Sequence, residues 1–182
     1  MRHFRKCAFN KLILQKLKEP VLSTFKILKD KAWNADIDES WSEWAVQMIK
    51  AGYETDLLYQ LAGISKPFNQ FELHDLTDKV LNELQLDYSD KQKVIKNYIY
   101  FLLKQNINRT DNYYDVLKEF RGIYYELDMD SDYLNLALLY WAKDDLIYDS
   151  YQHYWEGADR SNINKIITEQ FEEYIKKFET QN

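Results

Sequence analysis

The sequence predicts an all-α protein, a compact bundle of eight or nine helices folded as antiparallel helical hairpins, with no sheet. Three observations predict it. Gly and Pro number only 4 and 2 in 182 residues, and β folds spend both at their turns. Apolar residues recur at three- and four-residue spacing along the chain, the period of a helix with one buried face. Capping residues precede most of these runs. The length fits one domain, residues 1–182. A hydrophobic share of 46% supports a real core.

Charge divides the chain. Residues 1–31 hold nine Lys or Arg against Glu19 and Asp30, a net +7; the whole chain is -6, so residues 32–182 carry -13. Residues 1–33 therefore read as a basic helical arm packed on or flanking an acidic body. An acidic body repels nucleic acid over most of its surface. A single cysteine, Cys7, excludes an internal disulfide and suits a reducing cytoplasm. No signal-peptide pattern is present. The longest apolar run, Leu136 to Ala142, is too short to cross a bilayer.

Residues 4–18 carry Phe4, Phe9, Leu12, Ile13 and Leu17 in a loose helical pattern that Pro20 ends. Val21, Leu22, Phe25 and Leu28 give a short second helix. The polar stretch Asn34 to Ser40 connects it to the organising helix, with Ser40 as its expected N-cap. Trp41, Trp44, Ala45, Met48 and Ile49 form one wide apolar stripe, and Gly52 stands where a left-handed cap is wanted. A tight turn leads to Leu57, Leu58, Leu61 and Ala62, with Gly63 a second stop. Asn69, Glu72 and the pair Phe68 and Leu73 predict a capping box and hydrophobic staple for a helix to about residue 86. Ser89 and Gln92 suggest the same box for the next. Thr110 is expected to cap a helix with Tyr113, Val116, Leu117, Phe120 and Tyr124 inward. Asp130 or Ser131 opens another, with Leu134, Ala137, Tyr140 and Trp141 inward, continuing toward Tyr151. After a break at Gly157 to Ser161, Ile163, Ile167, Phe171, Tyr174 and Phe178 define the last helix.

Chemistry is sparse. The run Asp128, Asp130, Asp132 has the alternation of a calcium loop, but Tyr133 stands where glycine is needed and Leu139 where glutamate is needed. Asp145, Asp149 and His153 would share one face of a continuous helix, so a metal-dependent hydrolase is one alternative, with His74 as a further candidate. His74 and Asp78 also fit a plain helical ion pair. Cys7 sits among cations but has no paired histidine in sequence. No phosphate-binding glycine motif and no nucleophile elbow exists. These absences lean away from an enzyme, with no cofactor and no metal expected. The basic arm makes a nucleic-acid-associated regulator a second alternative.

The richest cluster is aromatic and acidic: Trp141, Asp144, Asp145, Tyr148, Asp149, Tyr151, Tyr154, Trp155 and Glu156. Tyrosine and tryptophan beside carboxylates describe a surface that grips a basic protein. The candidate interface is Asp144, Asp145, Tyr148, Asp149, Tyr151, Trp155 and Glu156. Tyr148, Tyr151 and Trp155 fall at i, i+3 and i+7 and are expected on one helix face.

The run Trp41, Trp44, Ala45, Gly52, Tyr53, Glu54, Thr55, Leu58, Leu61, Ala62 and Gly63 resembles small, uncharacterised all-helical bacterial proteins, some of them immunity-like partners of secreted toxins. The similarity extends through residues 41–125 and excludes the arm before Ala32. It implies helical architecture and, through its immunity-like members, pairing with a secreted toxin, and it brings no catalytic residue; that such a toxin would be cationic is expected from the acidic body. The expected function is thus a protein-binding module in the cytoplasm, of the immunity or antitoxin-like kind, without a membrane partner.

Overall fold

The computed structural model describes residues 19–181. They form eight α-helices and no strand: α1 (Thr24–Ala32), α2 (Glu39–Lys50), α3 (Asp56–Ala62), α4 (Gln70–Glu83), α5 (Lys91–Asn106), α6 (Tyr113–Glu126), α7 (Leu134–Tyr148) and α8 (Ile163–Gln181). Short 3-10 turns, Thr110–Asn112 and Ser131–Tyr133, lead into α6 and α7. The pattern expected for residues 4–18 and Cys7 lie outside the described residues. Among the described residues, those up to Val94 form one compact unit and those from Ile95 on form another.

The first unit is built on the tryptophan stripe. Trp41, Trp44, Ala45 and Met48 are all buried, and Ile49 lies at the edge of the same cluster. The two indoles meet edge to face, centroids 6.2 Å apart, a geometry that sets one ring's positive edge against the other's π face. Trp44 Nε1 donates to Thr24 Oγ1 at 2.9 Å, which ties α1 to α2. Ser42 Oγ donates to Ala62 O at 2.9 Å and closes the end of α3 onto α2. Leu58 and Leu61 complete the seam from α3. Gly52, at φ 89°, takes the left-handed conformation, and Tyr53 N–H reaches back to Met48 O.

Several expected helix starts move by a residue or two. Asp38, not Ser40, caps α2, accepting from Ser40 N. Asp90, not Ser89, caps α5 through Lys93 N, while Ser89 N turns to Asp87. Thr110 opens the 3-10 turn, and Asn112 precedes α6 without a side-chain cap. Asn69 is the N-cap position of α4 but makes no capping hydrogen bond. The neighbouring Gln70 instead pairs both ways with the backbone of Ile37, at 2.8 and 3.0 Å, and pins the buried Ile37 under the α1–α2 connection. The staple is present: Leu73 is buried and Phe68 packs on the same cluster.

One cation is buried among the described residues of this unit. Lys31 Nζ contacts His74 O, Thr77 Oγ1 and Asp78 Oδ1 at 3.1, 3.1 and 2.9 Å. Tyr88 Oη also donates to Asp78. Burial works against the Asp78 charge, but the hydrogen bonds from Lys31 and Tyr88 and the Lys31 charge outweigh it, holding its carboxyl below the ordinary range.

In the second unit, α6 and α7 pack together and α8 lies against them. Phe171 receives the edges of Tyr113 and Phe120, at 5.2 and 5.8 Å. Tyr113 Oη donates to Ile107 O at 2.6 Å and lies 2.7 Å from Thr168 Oγ1. Along α7 the expected Ala137 and Tyr140 are buried, with Leu136, Leu139 and Leu146 besides; Trp141 is half-buried, and Leu134, expected inward, is exposed. This helix is apolar nearly all round, so spacing alone does not select its inner side.

Two outcomes follow. Trp44→Ala removes a fully buried indole and the Thr24 hydrogen bond, and should cost about 3–5 kcal/mol in urea unfolding. A wild-type midpoint would mean that the stripe is not the organising element. Asp78 carries stability that is complete above the unfolded carboxylate value and is lost as pH falls through its lower folded value. The stability gap between wild type and Asp78→Asn should therefore be widest at about pH 6 and shrink at about pH 3; equal gaps at both would deny the linkage.

Candidate functional site

The expected interface lies on the last turn of α7 and the segment after it. The helix stops at Tyr148, earlier than expected, because Asp149 adopts an extended backbone, φ -124° and ψ 163°. Arg160 reaches back to this end, its Nε donating to Leu146 O at 2.7 Å and its Nη2 to Ile147 O at 3.4 Å. A cation at a helix C-terminus answers both the bare carbonyls and the dipole. Tyr148, Tyr151 and Trp155 therefore do not share a helix face, and their spacing carries no geometric meaning.

The segment from 149 to 162 is held by side-chain hydrogen bonds. Buried Gln152 donates to Trp155 O at 2.6 Å and Ala158 O at 3.0 Å, and accepts from Tyr154 N and Trp155 N at 2.7 and 2.8 Å. One amide thus satisfies four backbone groups of a turn that has no helix to satisfy them. Gly157, at φ 73°, permits the reversal. Asp159 then accepts from Ser161 N and Oγ and from Asn162 N, which leads into α8. These bonds hold its carboxyl below the ordinary range.

The expected residues divide into three groups. Tyr148 and Tyr151 are open to solvent, 83% and 62% exposed, and Asp149 and Glu156 are exposed with them. Asp145 is half-buried on the last turns of α7, and Trp155 is half-buried over the Gln152 turn. Asp144 is engaged internally: it accepts from Tyr114 Oη at 2.7 Å, while Tyr114 Oη lies 3.3 Å from Tyr140 Oη. Hydrogen bonds to Tyr140 and Asp144 push the Tyr114 phenol well up. The Arg121 guanidinium lies over the Tyr140 ring at 4.4 Å, a cation–π contact.

Beside these stands a ring cluster that sequence spacing did not bring together. Trp141 meets Tyr154 at 5.6 Å, Tyr125 at 6.5 Å and Tyr124 at 6.4 Å. Tyr125 and Tyr154 are 54% and 43% exposed, so the cluster has an open side. Tyr125 follows the inward-facing Tyr124, and no local signal in the sequence marks its exposure.

The metal alternative loses its geometry. Asp145 is on α7, Asp149 caps it in extended backbone and His153 lies beyond, its ring 4.3 Å from the Tyr151 ring. His74 sits with the Lys31 and Asp78 group of the first unit. No three His, Cys, Asp or Glu among the described residues are grouped to hold an ion. Asp130 accepts from Asp132 N, the helix-entry role that competes with a calcium loop. No helix among the described residues is long and apolar enough to cross a membrane. No family model, curated protein or solved structure matches the chain.

Purified protein should carry no stoichiometric zinc or manganese by elemental analysis, and His153→Ala should leave its metal content unchanged. A one-to-one metal lost on that substitution would restore the hydrolase alternative.

Proposed function

We propose that the chain is a protein-binding module whose exposed aromatic and acidic surface receives a basic protein. One observation carries this reading. The stretch from Tyr125 to Glu156 combines a half-open ring cluster, Tyr125, Trp141 and Tyr154, and the exposed rings of Tyr148 and Tyr151, with eight carboxylates against one lysine. That lysine, Lys143, is turned to Asn164 at 2.7 Å, and burial pushes its ammonium down. Arg160 at the α7 end and Lys177 beside Asp132 offset part of the negative charge, and the stretch stays negative by count. Exposed rings of this number cost solvation unless something covers them. Tyrosine and tryptophan are the side chains that most often anchor protein interfaces.

The partner class follows from charge. A cationic protein is drawn by the carboxylates and then held by the rings, since charges act mainly on encounter and packed rings on residence. An immunity or antitoxin-like inhibitor of a basic toxin fits this chemistry and the resemblance in residues 41–125. Asp144 is a poor steering group because Tyr114 already holds it, so Asp145, Asp149 and Glu156 carry that role.

With a basic partner captured from the source cell, Asp145→Asn with Asp149→Asn should slow association several-fold at low salt, with the difference fading as salt rises. The fold should persist, because Asp149 is exposed and neither side chain holds a salt bridge among the described residues, and such carboxylates contribute little to stability. Tyr148→Ala and Tyr151→Ala should instead speed dissociation. Wild-type association of the double Asn variant at every salt concentration would remove this surface from the interaction.

A further inference from the structure

The second unit also contains a cavity with the opposite charge character, lined by none of Asp145, Tyr148, Asp149, Tyr151 and Glu156. Its volume is about 210 Å³, between α5, α8 and the 3-10 turn before α7. Ile99 and Leu103, both buried, form the apolar floor. The Tyr100 and Phe178 rings stack at 4.1 Å, 12° from parallel, and form one wall. Lys96 lies 5.7 Å from the Phe178 centroid and donates to Gln181 Oε1 at 3.3 Å. Lys177 has only a long pair, 3.8 Å, with Asp132 Oδ1. Tyr174 Oη is committed to Asp132 O at 2.7 Å.

We propose that this cavity binds a small organic monoanion with a flat apolar body, an aromatic carboxylate being the simplest member of the class. Three features select it. The volume suits a single ring with a short arm, since a cavity of about 150 Å³ takes benzene. The aliphatic floor and the edges of the ring pair suit an apolar body. Two lysines against the one carboxylate of Asp132 leave a single positive charge among the described lining residues, which matches a monoanion and leaves a dianion undercompensated. The Tyr133 hydroxyl makes no hydrogen bond among the described residues, and a phenol keeps its proton at neutral pH, so it has one to donate. Glu179, the nearby carboxylate on α8, is occupied by Tyr100 and Lys104 at 2.8 and 3.2 Å and does not contest the site.

The test uses the full chain and three probes of similar size: phenylacetate, phenethylamine and benzyl alcohol. Calorimetry should show saturable one-to-one binding of phenylacetate, roughly tenfold tighter than either of the others. Aromatic resonances of Tyr133 and Phe178 should shift in proportion to occupancy, and those of Tyr148 and Tyr151 should not. Lys96→Met with Lys177→Met should abolish the preference for the acid, and Tyr133→Phe should weaken it. The Lys177 side chain is 54% exposed, and an unchanged melting curve for the double variant separates lost binding from lost fold. Absence of saturation, equal affinity for acid and amine, or a double lysine variant that keeps the preference overturns the proposal. The outcome is independent of whether a basic protein binds near Tyr148.

Discussion

Every helix in this chain must be closed almost without glycine, and that constraint shapes the rest. A helix leaves its last carbonyls bare, and glycine in the left-handed conformation is the usual remedy. With four glycines available, only Gly52 closes a helix in that way. Asn34, Gln85, Asp128 and Met129 adopt positive φ after α1, α4 and α6, at about 1–2 kcal/mol each for a side chain with a Cβ. The end of α7 is closed from outside by Arg160, and the chain beyond it by Gln152. The most exposed rings of the second unit are thus placed by the device that ends the helix, not by the helix itself.

Tyrosine does two different jobs here. Tyr113 is fully buried with its hydroxyl satisfied twice, and Tyr114 hands its proton toward Asp144. These are packing roles in which the ring fills space and the hydroxyl answers a polar group. Tyr148 and Tyr151 do neither, because most of each ring faces water. Removing them costs little packing, so stability does not explain their presence. The proposed surface role would, and the surrounding carboxylates oppose contact between copies of so aromatic a surface, since like charges repel.

The helical class was legible because it follows from periodicity and from missing turn residues. The tryptophan stripe, the Gly52 cap and the Phe68 and Leu73 staple were legible for the same reason: each is a local rule with one solution. Caps were less so, because Asp38 and Ser40, or Ser89 and Asp90, are competent caps within two residues of each other, and tertiary contacts decide between them. The face of α7 was legible only in part: Ala137 and Tyr140 are inward as expected, but Leu134, Leu136 and Leu139 lie on different sides of a helix apolar nearly all round. At the candidate site, composition pointed to the right stretch and spacing misled. Nothing in the order of residues announces that Gln152 will satisfy four backbone groups, or that Arg160 will stop α7. Tyr125 reaches Trp141 only through the packing of α6 on α7, a non-local fact.

The second unit separates its charges by chemistry as well as by place. Lys96 is half-buried beside the Phe178 ring and Lys177 is exposed; a charge partly withdrawn from water counts for more. Asp149 and Glu156 sit in solvent, where each is weak and their number matters, while Asp145 is half-buried. The two proposed sites would therefore answer different ligands. A partly enclosed cavity with one net positive charge among its described lining residues would discriminate between small molecules by sign and shape. An open acidic surface discriminates little by shape until rings engage. At physiological salt, where exposed charges reach only about 8 Å, such carboxylates would gather a cationic partner, and in the proposed reading holding it falls to Tyr148, Tyr151 and the open edges of Tyr125 and Tyr154.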